Sequence, residues 1–152
     1  MLRNIMDNNG KVAVTTYTAD VPMIRGMAVV KSGKVAAFPS AKTGVDLFFV
    51  TKEQIPTGID SLRGEISDYD DTFEKITAGE YVKLVKYGAG EVFADDQYSG
   101  NVSDGTYLVA GTDGKMVAAA TGEVTSYICR GTYDDNGHHL IMIEGCEPHT
   151  VA

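Results

Sequence analysis

One phrase recurs three times along the chain and constrains what it can fold into. Residues 79–94 (GEYVKLVKYGAGEVFA) open on a glycine, run apolar through 81–85, turn at Gly90-Glu91 and close on a second apolar run, 92–94. Residues 105–119 (GTYLVAGTDGKMVAA) repeat the order with Gly114-Lys115 at the turn, and 26–38 (GMAVVKSGKVAAF) repeat it with Gly33-Lys34. Two strands joined by a tight loop need residues that accept positive φ at that loop, and glycine does so without steric cost. A lone hairpin buries too little to stand by itself. Three of them imply a sheet that wraps on itself or packs on a second sheet. The expected fold is therefore all-β, an antiparallel β-barrel or β-sandwich built of glycine-turn hairpins, with at most one short helix.

Composition narrows the class further. The 152 residues suit a single domain, 1–152, with a real hydrophobic core. The 17 glycines exceed the roughly 7% average and fall at turns, not in a low-complexity tract. A net charge of −8 lacks the clustered Lys and Arg that nucleic acid or an anionic membrane requires, so neither partner is expected. The first ten residues, MLRNIMDNNG, lack the apolar run of a signal peptide. No stretch of about 20 apolar residues occurs, and the chain is expected to fold in the cytoplasm. Cys129 and Cys146 stand far apart and outside any CxxC spacing, which favours free thiols over a disulfide.

Taken in order, residues 1–10 are polar and end in Asp7-Asn8-Asn9-Gly10, the mark of an arm or turn preceding a barrel or sandwich over 11–152. A first strand is expected over 11–18, a connection with Pro22 over 20–26, and the first hairpin over 27–38. The run VDLFFVT, 45–51, reads as a strand buried on both faces. Pro56 and Gly58 break the sheet, 62–67 reads as a strand, and 68–76 (DYDDTFEKI) is the single candidate helix, with its acids near the N-terminus and Lys75 near the end. Strand 80–87 sets Val82 and Leu84 on one face. An exposed loop follows over 95–104, then the hairpin of 105–119 and a strand over 123–131. The turn Asp134-Asp135-Asn136-Gly137 precedes a last strand, 139–144, and a surface tail from Gly145 that contains Pro148.

Chemistry-bearing residues are few, and each has a plain reading. His138, His139, Cys146, His149 and Cys129 are metal-ligand types, and Cys146-Glu147-Pro148-His149 is the one near match to a zinc spacing. Adjacent histidines on a strand, however, point to opposite faces, which makes joint ligation of one ion awkward. The calcium-loop register around Gly137 fails, because its first and twelfth positions are Thr132 and Ile143. Asp68, Asp70 and Asp71 have no apolar pocket or partner base near them in sequence and read as a solvated loop. Gly88-Ala89-Gly90 lacks the following helix and Lys-Ser/Thr of a phosphate cradle and reads as a hairpin turn. No catalytic residue, metal or cofactor is assigned. Several of the eight tyrosines, among them Tyr81, Tyr87, Tyr98 and Tyr107, stand beside hairpins, where a rigid ring with a polar tip also suits an interface.

The phrase Gly79-Glu80-Tyr81-Val82, an apolar strand, a Gly-Glu or Gly-Lys turn and a short Ala/Val run, recurring at Gly105 and loosely at Gly26, resembles the capsid decoration (cement) proteins of tailed bacteriophages. The likeness spans most of 26–143 and lies in pattern and size. It implies a non-enzymatic virion protein on the capsid exterior that binds the major capsid protein of its own phage where coat subunits meet, often as a homotrimer. Tail-tube or other virion accessory subunits share the style, and a cellular β-barrel ligand-binding module can imitate it. Within the chain, Leu2, Arg3, Ile5 and Met6 are the candidate partner-binding residues, because apolar side chains in a polar arm lack an evident core to join; the alternative is that they cover a barrel end in their own subunit. Such an arm, ordering on contact, would add to a coat subunit's exposed sheet edge by main-chain hydrogen bonds.

Overall fold

A computed structural model describes residues 1–6, 12–52 and 74–152. Thirteen strands follow one another in these segments. The first six are β1 (Leu2–Met6), β2 (Val12–Ala19), β3 (Met23–Ile24), β4 (Ala28–Ser32), β5 (Val35–Ala37) and β6 (Phe48–Thr51). Then come β7 (Lys75–Ile76), β8 (Tyr81–Lys86), β9 (Val92–Asp95), β10 (Leu108–Ala110) and β11 (Met116–Ala118). Two long strands, β12 (Val124–Asp135) and β13 (His138–Thr150), end the chain. The fold is all-β, and the described residues contain no helix long and apolar enough to cross a membrane.

Five strands close a barrel in the order β2-β5-β4-β6-β8, antiparallel at every pairing except the parallel β2–β5 contact. A four-stranded antiparallel sheet, β1-β9-β13-β12, packs against one side of it. The two-stranded ribbons β10–β11 and β3–β7 complete the structure. Strand alternation divides the apolar residues between two cores. Val29, Ala36, Phe48, Val50, Val82 and Leu84 form the cluster to which all the barrel strands contribute, with Ala19 and partly buried Tyr17 from β2. Their alternates Ala28, Phe49 and Val85 face the other way and meet Phe93, Tyr127, Ile141 and Ile143 of the sheet.

β6 thus spends every side chain on burial, as the run FFVT requires. The ring of Phe49 sits amid Phe93 at 4.6 Å, Tyr127 at 5.4 Å and Tyr87 at 5.7 Å between centroids, the last two edge-on. Such tilted and edge-to-face pairs contribute beyond the area they bury, about 0.5–1.5 kcal/mol each.

The first and third copies of the phrase form hairpins, β4–β5 and β10–β11. The middle copy does not. β8 pairs with β2 and β6 in the barrel, whereas β9 pairs with β1 and β13 in the sheet, so Gly88-Ala89-Gly90 carries the chain from one layer to the other. The cause lies in β13. The Gly90 N–H donates to the Gly145 carbonyl at 2.9 Å, and the Gly145 N–H donates to the Glu91 carbonyl at 2.9 Å. A side chain at Gly145 would place its Cβ 2.1 Å from the Gly88 carbonyl oxygen, so this approach needs glycine. The buried Glu91 carboxylate accepts the Gly88 N–H at 2.5 Å and fixes the strap from within. Once across, Phe93 stacks flat on Tyr87 at 4.0 Å.

Four other expectations are corrected. The first six residues are not a loose arm: Leu2–Met6 is a sheet strand, and Met1 and Leu2 are core residues. The stretch 95–104 is not wholly exposed, since Asp95 and Gln97 are buried. The tail from Gly145 stays in β13 to Thr150, although 147–150 are exposed as a surface tail requires, and Pro148 is tolerated because β9 flanks β13 only from Ile141 to Glu144. Lys75 and Ile76, expected to end a helix, form β7 opposite Ile24 and Met23, where Ile76 enters the barrel core. The expected strand 62–67 and residues 68–73 of the expected helix lie outside the described residues, and Glu74, the next residue, is helical as expected.

Candidate partner-binding edge

The four candidate residues all lie on β1, and the structure divides them. β1 is the outermost strand of the four-stranded sheet, with β9 as its strand neighbour among the described residues. Leu2 stands opposite Asp95, Arg3 opposite Ala94 and Asn4 opposite Phe93; after an irregularity, Met6 stands opposite Val92. Residues directly opposite share a face, and Phe93 belongs to the inter-layer core. Leu2 and Asn4 therefore face inward. Leu2 is 3% exposed and packs in that core, while the Asn4 side-chain oxygen accepts the Tyr87 hydroxyl at 2.6 Å.

Arg3 faces outward and is clamped, its Nε donating to the Asp135 carboxylate at 2.7 Å. That contact ties the edge strand to the tip of the β12–β13 hairpin. Ile5 and Met6 are 39% and 61% exposed. Met6 begins a cross-strand row that continues through Val92, Glu144 and Ile128, and Arg3 begins the next, through Ala94 and Met142. Val92 and Met142 are half-buried. Exposed Met6 thus adjoins half-buried Val92, while the same rows carry the ion-paired Glu144 and Arg3, and their Ala94 and Ile128 are buried. The structure brings Ile5 and Met6 to an accessible edge and withdraws Leu2 from any partner.

Beneath β1 lies a polar cluster that the sequence reading placed in an exposed loop. Asp95 is completely buried. Its Oδ1 accepts the Gln97 N–H at 3.0 Å, and its Oδ2 is buried with no hydrogen-bond partner among the described residues. Burial holds this carboxyl well above the usual carboxylate range; the Gln97 N–H and the Met1 amino group pull it down, and neighbouring Asp96 pushes it up. Gly26 backs against it so closely that a Cβ there would lie 2.2 Å from Oδ1. The Met1 amino group sits 2.5 Å from Asp96 Oδ1 and 2.9 Å from Glu74 Oε2. Burial opposes its charge, yet the two carboxylates outweigh burial and raise it above its ordinary value. Arg25 approaches the same Glu74 at 4.0 Å. One signal in the sequence marks Asp95 as buried: it falls two residues after Phe93 and so shares its inward phase.

The remaining singled-out residues are dispersed. His149 stacks on Tyr107 at 4.5 Å, and His139 Nδ1 lies 3.4 Å from Asp134 Oδ2. Cys129 is buried and Cys146 half-buried, both as free thiols, and burial pushes each thiol above its ordinary pKa. Among the described residues, no three His, Cys, Asp or Glu side chains gather to hold a metal ion.

Set against protein-family models, curated proteins and solved structures, the chain matches none of them.

Proposed function

We propose that the protein is a virion structural protein, a capsid decoration or cement protein that binds the outside of a tailed-phage shell and stabilises contacts between coat subunits. The observation that carries the reading is the exposure of Ile5 and Met6 on the outermost strand of a sheet whose inner face is anchored in a stiff aromatic core. A coat strand adding alongside β1 would gain main-chain hydrogen bonds, with Ile5 and Met6 supplying apolar contact and Arg3 a charged border. An interface of standard size, about 800 Å² per partner, suffices for stable association, and repetition over a lattice multiplies the effect. The partner in this reading is the major capsid protein of the same phage, the site of action is the capsid exterior, and the working form is a homotrimer. No nucleic acid or membrane takes part, in keeping with the charge of −8.

The test is co-sedimentation with expanded shells assembled from the coat protein of the same phage. The wild-type chain should bind and raise the temperature at which the shells burst. The double substitution Ile5→Asp with Met6→Asp, both exposed in the free protein, should abolish binding without changing the fold. Absence of wild-type binding overturns the reading. Spontaneous growth of rings or tubes in negative stain would move the protein to the tail.

A further inference from the structure

The tip of the β12–β13 hairpin is a two-residue turn. Asn136 has φ +52° and Gly137 φ +91°, with Asp135 paired to His138 across it, the type I′ geometry that Asn-Gly favours. Both turn residues are exposed. The Gly137 N–H donates to Asp134 Oδ1 at 2.8 Å, and the other oxygen of that carboxylate faces His139 Nδ1 at 3.4 Å. The next acid, Asp135, holds Arg3 of β1. Two successive aspartates thus fasten the turn, one to its own backbone nitrogen and one to the neighbouring edge strand.

We propose that Asn136-Gly137 is a site of spontaneous deamidation and that Asp134 restrains it. The reaction needs no co-reactant but water. The Gly137 backbone nitrogen attacks Asn136 Cγ; the N–Cγ bond forms, the Cγ–Nδ2 bond breaks, and Nδ2 leaves as ammonia carrying the proton that the Gly137 nitrogen gave up. Water then opens the five-membered imide at either carbonyl, giving aspartate or isoaspartate. Glycine on the C-terminal side opposes the attack least, because it has no Cβ to crowd the ring.

Attack requires the Gly137 nitrogen to part with its hydrogen. Asp134 binds that hydrogen in a charge-assisted bond, and a carboxylate beside the nitrogen disfavours negative charge developing there. The isoaspartate product places an extra methylene in the backbone of a turn that has room for two residues. The Asp135–His138 register is lost, and with it the hold on Arg3. Chemical ageing at the tip therefore reaches the edge strand, whatever partner that strand serves.

The experiment incubates the full-length folded protein at mildly alkaline pH and follows Asn136 by peptide mass spectrometry, with isoaspartate read separately by enzymatic methylation. Asp134→Ala should deamidate several-fold faster than wild type. Asp134→Asn, which keeps an acceptor for the Gly137 N–H but loses the charge, should fall between them. Circular dichroism confirms that each variant remains folded, and wild type in urea sets the unrestrained rate. Equal rates for wild type and both variants would overturn the proposal, as would a folded wild-type rate equal to that in urea.

Discussion

Replacing Asp95 by Asn tests whether a buried carboxyl sets the pH dependence of this fold. The side chain is fully enclosed, Oδ2 has no partner among the described residues, and burial raises its pKa well above the ordinary value of 3.8. The folded state therefore holds a proton that the unfolded chain has already released. Its contribution to stability is complete below the unfolded pKa and drains away as pH rises toward the folded one. One proton of difference gives a slope of about 1.4 kcal/mol per pH unit within that window. Asp95→Asn keeps an oxygen for the Gln97 N–H and removes the ionisation. Urea unfolding of both proteins at a series of pH values from about 4 upward, the range opened by the unfolded carboxyl, should show the variant gaining on wild type at close to that slope. The other titrating groups are common to both proteins and cancel in the difference, including the coupled Met1 amino group and Asp96 as long as folded Asp95 stays protonated. A difference that stays flat from acid to neutral pH would show that Asp95 ionises as readily folded as unfolded, and the reasoning from its burial would fail.

Two further predictions concern single positions. Gly145→Ala drives a Cβ to 2.1 Å from the Gly88 carbonyl, a backbone atom that cannot swing aside; overpacking of this kind costs about 1–3 kcal/mol, read as a lower melting temperature. Glu80 shows the opposite pH sign to Asp95. The N–H of Thr77, then its hydroxyl, and more weakly Lys52, hold the Glu80 carboxyl down at about 2 against the ordinary 4.5. Its stabilisation is present above the unfolded value and lost as pH falls toward 2. Glu80→Gln should therefore melt below wild type at neutral pH and converge with it in strong acid.

The barrel was largely legible because its signals are local. Phe48 and Phe49 cannot both be buried on a one-sided strand, and the structure puts one in each core. Gly33 and Gly114 close hairpins whose two arms both read as strands. The middle copy misled because a glycine turn serves equally well to fold a strand back or to send it across to another layer. What decides is Gly145, far downstream, whose missing side chain admits the Gly88 backbone. β1 escaped notice for a similar reason. Leu2, Arg3, Asn4, Ile5 and Met6 show no clean alternation, and the partner that makes them a strand is β9, remote in sequence. Of the candidate site, the exposed pair Ile5 and Met6 could be picked from composition, whereas the clamp on Arg3 depends on a hairpin tip at the other end of the chain. Asp95 was obscured by its polar neighbours, although its phase relative to Phe93 was there to be read.

The strap at Gly88-Ala89-Gly90 also bears on how the molecule responds to mechanical load. A tug along β1 runs parallel to the strands, so the hydrogen bonds to β9 must fail together in shear instead of peeling one at a time. From β9 the pull continues through Glu91 and Gly90, where the two bonds to Gly145 divide it between β13 and the barrel. Tension entering at one margin is thereby spread over both layers within a few residues of its entry point.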